Sequence, residues 1–125
     1  MKKIINTPNA PAPLGPYSQD ALTADMLFIS GQVALIPGSG ELANTDLTEE
    51  TNQVMKNLQA ILTEAGMDFS NVIKTTIFLS DMLLFAVVNE IYSSYFTSDF
   101  PARETVAVKG LPKNVNVEIS MIASK

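Results

Sequence analysis

The stretch Val72-Ile73-Lys74-Thr75-Thr76-Ile77-Phe78-Leu79 decides how the rest of this chain is read. Its apolar residues flank Lys74-Thr75-Thr76 in a β-branched run of strand length, which predicts a central strand. Asp81 follows and can cap a helix over about residues 82–96, where Phe85, Val88, Ile91, Tyr92, Tyr95 and Phe96 form an apolar stripe. Leu83, Leu84 and Val87 widen that stripe beyond one face. Upstream, Val54, Met55, Leu58, Ile61, Leu62 and Ala65 keep helical spacing over about residues 48–65. Glu49 and Glu50 suit the N-terminal dipole of that helix, and Gly66 suits its C-cap. The strand therefore lies between two helices.

Working outward, residues 103–108 and 115–123 read as two more strands, separated by the loop Lys109-Gly110-Leu111-Pro112-Lys113-Asn114. Toward the N-terminus, residues 17–23 and 26–30 form a hairpin turning at Ala24-Asp25, and Gly31 ends the second strand or bulges it. The Pro37-Gly38-Ser39-Gly40 turn leads into the first helix. Residues 3–6 read as a short first strand, and the four prolines between Thr7 and Pro16 make an extended loop. The order is β-β-β-α-β-α-β-β, an α+β arrangement with one mixed sheet. Right-handed crossovers require both helices on one face of that sheet. The other face stays bare and half-apolar, which predicts self-association.

Composition narrows the functional classes. The chain has 125 residues, enough for one domain spanning residues 1–125 with a single core; 46% of the residues are hydrophobic and 17% charged, which excludes disorder. A net charge of −5 with eight dispersed basic residues disfavours nucleic acid and anionic membranes as partners. The N-terminus lacks the apolar core of a signal peptide, and the longest apolar run, residues 82–88, is too short to span a bilayer. These features point to the cytoplasm. No cysteine and no histidine are present, so disulfides, thiol nucleophiles, Cys/His metal sites and His-based triads are excluded. The carboxylates are not spaced as a ligand cluster, so no metal site is expected.

Carboxylates, hydroxyls, backbone and a single arginine, Arg103, remain for chemistry. In the last strand Val115, Val117, Ile119 and Met121 alternate with Asn116, Glu118 and Ser120, placing Glu118 on the more polar face. Glu118 is a solvated or ion-paired charge on one reading and a general acid or base with raised pKa on the other. Arg103 opens a strand directly after Pro101-Ala102. Its planar fork can hold a carboxylate bidentately, at roughly 1.5 to 3 kcal/mol per charged hydrogen bond, or it can form a structural salt bridge with Glu118 itself. The residues alone leave both alternatives open.

Gly15-Pro16-Tyr17-Ser18-Gln19, Ser30-Gly31-Gln32, the 72–79 strand, Val88-Asn89-Glu90-Ile91-Tyr92, Phe100-Pro101-Ala102-Arg103-Glu104-Thr105, and Leu111-Pro112-Lys113 through Val117-Glu118-Ile119 resemble the YjgF/Rid family in order and spacing. The resemblance spans nearly the whole chain. It implies a chorismate-mutase-like fold and a homotrimer around a central barrel, with a cleft at each subunit boundary. It also implies an enamine/imine deaminase that hydrolyses 2-iminobutanoate and 2-iminopropanoate to 2-keto acids and ammonia, without metal or cofactor. Arg103 would hold the substrate carboxylate and Glu118 would handle water and its proton, while Tyr17, Ser30, Gly31, Asn89 and Thr105 would line the cleft. Family members often carry Cys at the place of Thr105, and usually polar residues at those of Leu83 and Leu84. Two other classes compete: a non-catalytic binder of keto acids acting as a regulator, and a translation inhibitor acting on RNA. Retention of both Arg103 and Glu118 argues against the first, and the acidic balance against the second.

Overall fold

The computed structural model describes residues 1–125. Strands β1 (Asp20–Thr23) and β2 (Met26–Gln32) form the hairpin, followed by α1 (Leu47–Glu64), β3 (Val72–Leu79), α2 (Phe85–Ser93), β4 (Ala102–Ala107) and β5 (Val117–Ser124). The sheet runs β1-β2-β5-β3-β4. β5 is antiparallel to both β2 and β3, and β4 is parallel to β3. β2 and β3 are consequently parallel to each other. The crossover through α1 leaves a gap one strand wide, which the C-terminal strand fills.

Both helices cover one face. Val54, Met55, Leu58, Ile61 and Leu62 of α1 are fully buried against Leu27 and Ile29 of β2, Ile77 and Leu79 of β3, and Val117, Ile119, Met121 and Ala123 of β5. Burial in β5 alternates strictly, so Glu118, Ser120 and Ile122 point to the uncovered face. That face also presents Phe28 and Val106, each 45% exposed, beside the Lys74–Glu104 ion pair at 3.1 Å. No helix is long and apolar enough to cross a membrane.

The structure amends the sequence reading in three places. The sheet has five strands rather than six. Residues 3–6 make only an isolated bridge, Lys3 to Leu22, because side chains take the next amides: Ile5 N–H donates to Asp20 Oδ1 and Thr7 N–H to Gln19 Oε1. Within the chain the sheet is open, with β1 and β4 as its edges. The second helix is divided: Asp81 accepts from Leu83 N–H as expected, but Met82–Leu84 forms a 3₁₀ turn and the α-helix begins at Phe85. Leu83 is left 88% exposed there while Leu84 packs on the core. Glu49 stays in the first turn of α1, capped by Asp46, but Glu50 turns inward and is 1% exposed.

Gly66 ends α1 with φ +73°, a conformation that costs an L-residue with a Cβ about 1 kcal/mol even in open space. Gly66→Ala should lower unfolding free energy by about that amount in chemical denaturation, with an unchanged m-value. Unaltered stability would show that α1 has another way to terminate.

Candidate active site

Arg103 lies on the helix-covered side of the sheet. It stands opposite Thr75, which in turn stands opposite Met121 of the core face. Its guanidinium carbon sits 5.1 Å from the Tyr92 ring centre and 5.7 Å from that of Phe85, the range of a cation–π contact. Nη1 donates to Asn89 Oδ1 at 2.7 Å. Phe85, Asn89 and Tyr92 are four and three residues apart on α2, so one helical face grips the side chain. Tyr92 is itself fixed by donating from its hydroxyl to buried Thr75 Oγ1 at 2.9 Å. Burial pushes the Tyr92 phenol above its ordinary pKa, against the opposing influence of the Thr75 bond and the Arg103 charge, so it stays neutral beside the guanidinium.

A 410 Å³ cavity opens at this point, lined by Asn89, Tyr92, Ser93, Phe100, Pro101 and Arg103. Two residues along β4, on the same face, Thr105 Oγ1 is buried with no hydrogen-bond partner. A buried hydroxyl left unpaired costs free energy that a ligand can recover.

Glu118 faces the other way. It stands opposite Phe78, which stands opposite Val106 of the uncovered face. Arg103 and Glu118 thus lie on opposite sides of one sheet, and the internal salt bridge that the sequence left open does not exist. Glu118 rests over Gly31, where the β2–β5 register slips between Ile29 and Gln32. A Cβ on Gly31 would fall 2.7 Å from Glu118 Oε2 and 2.9 Å from Cδ, so only glycine leaves room for the carboxyl. Of the two readings of Gly31, strand end or bulge, the bulge is the one present, and its effect is to seat Glu118. Desolvation holds Glu118 above the usual carboxylate pKa, and no donor or cation opposes it.

Ser30 and Tyr17 adjoin this second group. Ser30 Oγ donates to the Ser18 carbonyl at 2.6 Å and its amide donates to the Gln19 carbonyl, so its hydroxyl locks the hairpin to the preceding loop. Tyr17 is 51% exposed, and its hydroxyl accepts from Leu14 N–H at 3.2 Å. Gln19, 3% exposed, ties the proline-rich segment with one accepted and three donated bonds to Thr7, Ala10 and Pro11. These bonds reach 8 to 12 positions along the chain, and they fix that loop without regular structure.

The expected site residues therefore fall into two groups, Arg103, Asn89 and Thr105 on one face and Tyr17, Ser30, Gly31 and Glu118 at the other. Sequence reasoning missed the aromatic grip on Arg103. Phe85 and Tyr92 look like ordinary members of the apolar stripe, and only their seven-residue separation bracketing Asn89 hinted at a shared face.

A profile of the family described as Endoribonuclease L-PSP matches residues 7–125. This chain belongs to the YjgF/Rid family. Over 125 residues it is 47% identical to a RutC family protein of Pyrococcus horikoshii, covering 100% of this chain and 99% of that one. It is 46% identical to the human 2-iminobutanoate/2-iminopropanoate deaminase, covering 98% and 90% of the two chains. Escherichia coli TdcF, solved with bound serine, superposes with a TM-score of 0.94 at 37% identity, covering 98% of each chain. The family relationship accounts for the mixed sheet with two helices on one face.

The seating of Glu118 yields a test on the folded protein. A carboxyl whose folded-state pKa is raised binds its proton more tightly folded than unfolded, so unfolding free energy rises as pH falls through the interval between the two values. Glu118→Gln should therefore be more stable than the parent at neutral pH, with the difference vanishing below the ordinary carboxylate range. A variant that is less stable at every pH would mean that Glu118 is held by an attractive partner.

Proposed function

We propose that this protein hydrolyses small 2-imino acids, such as 2-iminobutanoate and 2-iminopropanoate, to 2-keto acids and ammonia in clefts formed between copies of the chain in a homotrimer. One observation carries the reading. The chain's single guanidinium and its unpartnered, desolvated carboxyl stand on opposite faces of one sheet, so a reaction centre using both needs a second copy. The exposed Phe28 and Val106 on the uncovered face, together with two free sheet edges, supply a surface for that copy. The human and mouse relatives at 46% and 49% identity bear the name 2-iminobutanoate/2-iminopropanoate deaminase, which supports the same chemistry.

The imine carbon of a 2-imino acid is electrophilic and sits beside a carboxylate. Arg103, with one nitrogen tied to Asn89, turns the rest of its fork to that carboxylate and fixes the carbon for attack. Glu118 of the second copy takes a proton from water as the C–O bond forms, the C=N electron pair moves to nitrogen, and Glu118 hands that proton to the nitrogen. In the resulting tetrahedral adduct the freed carboxylate takes the hydroxyl proton and passes it to the departing nitrogen, so the C–N bond breaks as C=O forms and ammonia leaves. The raised pKa of Glu118 suits a group that both accepts and returns a proton. The orphaned Thr105 hydroxyl, two residues along the strand from Arg103, is an unmet group that a substrate oxygen or nitrogen would satisfy. An RNA substrate, suggested by the endoribonuclease in the family description, fits a chain of net charge −5 less well.

Imino acid made in situ by a dehydratase from threonine or serine, with keto acid release followed in time, tests this directly. Glu118→Gln should still bind 2-oxobutanoate while turnover falls about 10² to 10⁴-fold, and Arg103→Lys should raise KM and lower kcat together. Full activity of Glu118→Gln, with Arg103→Lys merely dissociating the oligomer, would refute the assignment. Light scattering should give three times the 13.5 kDa of one chain; a monomer at micromolar concentration would remove the composite cleft.

Gly31→Ala separates site from scaffold. The clash falls on the mobile end of Glu118 rather than on backbone, so the variant should fold and assemble. Its kcat should drop about 10²-fold because the carboxyl is displaced by an ångström or so. Normal kcat in this variant would place the working carboxylate elsewhere.

A further inference from the structure

The buried face of α1 carries polar groups in an otherwise aliphatic row. Asn57, fully buried, donates through Nδ2 to the carbonyls of Val33 at 3.1 Å and Leu35 at 2.9 Å, fixing the chain just past Gln32. Glu50, 1% exposed, reaches the entry of β5. Its Oε2 accepts from the amides of Asn116 at 2.7 Å and Val117 at 3.1 Å, and Oε1 accepts from Asn116 Nδ2 at 3.1 Å. No basic side chain pairs with it; the ion pair of the chain is Lys74–Glu104. Three donors rather than a cation hold this carboxylate, which is a directional and position-sensitive arrangement.

Asn116 is fixed from its other side as well. Its carbonyl accepts from Ser80 N–H at 2.9 Å, and its Oδ1 accepts from Ser80 Oγ at 2.8 Å. The peptide units immediately before Glu118 are therefore clamped between the first turn of α1 and the end of β3. Glu118 itself has no donor to aim it, so the position of its carboxyl follows from the backbone that carries it and from the Gly31 surface beneath it.

We propose that Glu50 is a positioning residue for Glu118, acting through the Asn116 and Val117 amides from the opposite side of the sheet. The inference rests on the reading of Glu118 as the proton carrier. With Asn57 fixing the exit of β2, α1 sets both strands on either side of the Gly31–Glu118 contact. A core helix thereby controls a group on the face it does not cover.

Glu50→Ala and Glu50→Gln discriminate this from ordinary structural support. Gln keeps a carbonyl oxygen for the two amides and turns its NH₂ toward Asn116, whose amide can flip, with Ser80 Oγ then accepting. Measured per folded, assembled molecule, Glu50→Ala should lower kcat about 10²-fold with KM nearly unchanged, because Arg103 still holds the substrate carboxylate. The acidic limb of the pH–kcat profile should move as well, since the surroundings of Glu118 change. Glu50→Gln should recover most of kcat and the original limb. Wild-type kcat and acidic limb in folded Glu50→Ala, or equal losses in both variants, would overturn the proposal. Should Glu50→Ala fail to fold, Asn116→Ala removes two side-chain bonds, to Glu50 and to Ser80, and leaves both amides; a smaller fall in kcat at constant KM is expected, and parental values would overturn it. Glu118→Gln run alongside keeps the failures apart: full activity there sinks the proton-carrier reading, whereas an inactive Glu118→Gln with a normal Glu50→Ala sinks only this inference.

Discussion

The rest of the fold depends on β5 sitting between β2 and β3. Without it the right-handed crossover through α1 would leave two parallel strands a full strand spacing apart, with unpaired amides facing each other across the gap. The C-terminal strand satisfies both edges at once and supplies four apolar side chains to the covered face. Its alternation does the remainder: every residue that is not core points to the other side, and Glu118 is the first of these.

This explains why the candidate site is divided. Arg103 enters on β4, whose parallel register with β3 sends it toward α2, where aromatic rings and Asn89 receive it. Glu118 enters on β5 with the opposite parity. A one-residue change in either register would bring both to the same face, where the guanidinium charge would act to lower the carboxyl pKa. Separation keeps the guanidinium free to meet an anion and the carboxyl free of any cation. Both are conditions that a substrate carboxylate and a proton carrier require.

The two groups are held by different physics. Arg103 is gripped by side chains that touch it, so its environment can be read locally on α2. Glu118 is placed by what does not touch it: the missing Cβ of Gly31 and a backbone anchored by Glu50 from the far side of the sheet. The second arrangement leaves the carboxyl desolvated and unpartnered, a destabilising local state tolerated because the surrounding strands over-determine it.

Sequence alone was enough for the order of the elements from residue 17 onward, the two helical faces, Gly31 as the end or the bulge of its strand, the alternation that turns Glu118 outward and the absence of thiol or imidazole chemistry. Each of these follows from spacing along the chain or from composition. It did not determine that residues 3–6 forgo the sheet, since Asp20 takes the Ile5 amide from 15 positions away and Gln19 the following Thr7 amide from 12. Nor did it separate an Arg103–Glu118 salt bridge from two half-sites, because that rests on the register between β3, β4 and β5, which no local pattern encodes. Glu50 shows the same limit: beside Glu49 in a first helical turn, it reads as one more carboxylate for the dipole. Only the tertiary packing brings it against amides 66 residues away, because a hydrogen bond depends on where the chain returns and not on the residue that makes it.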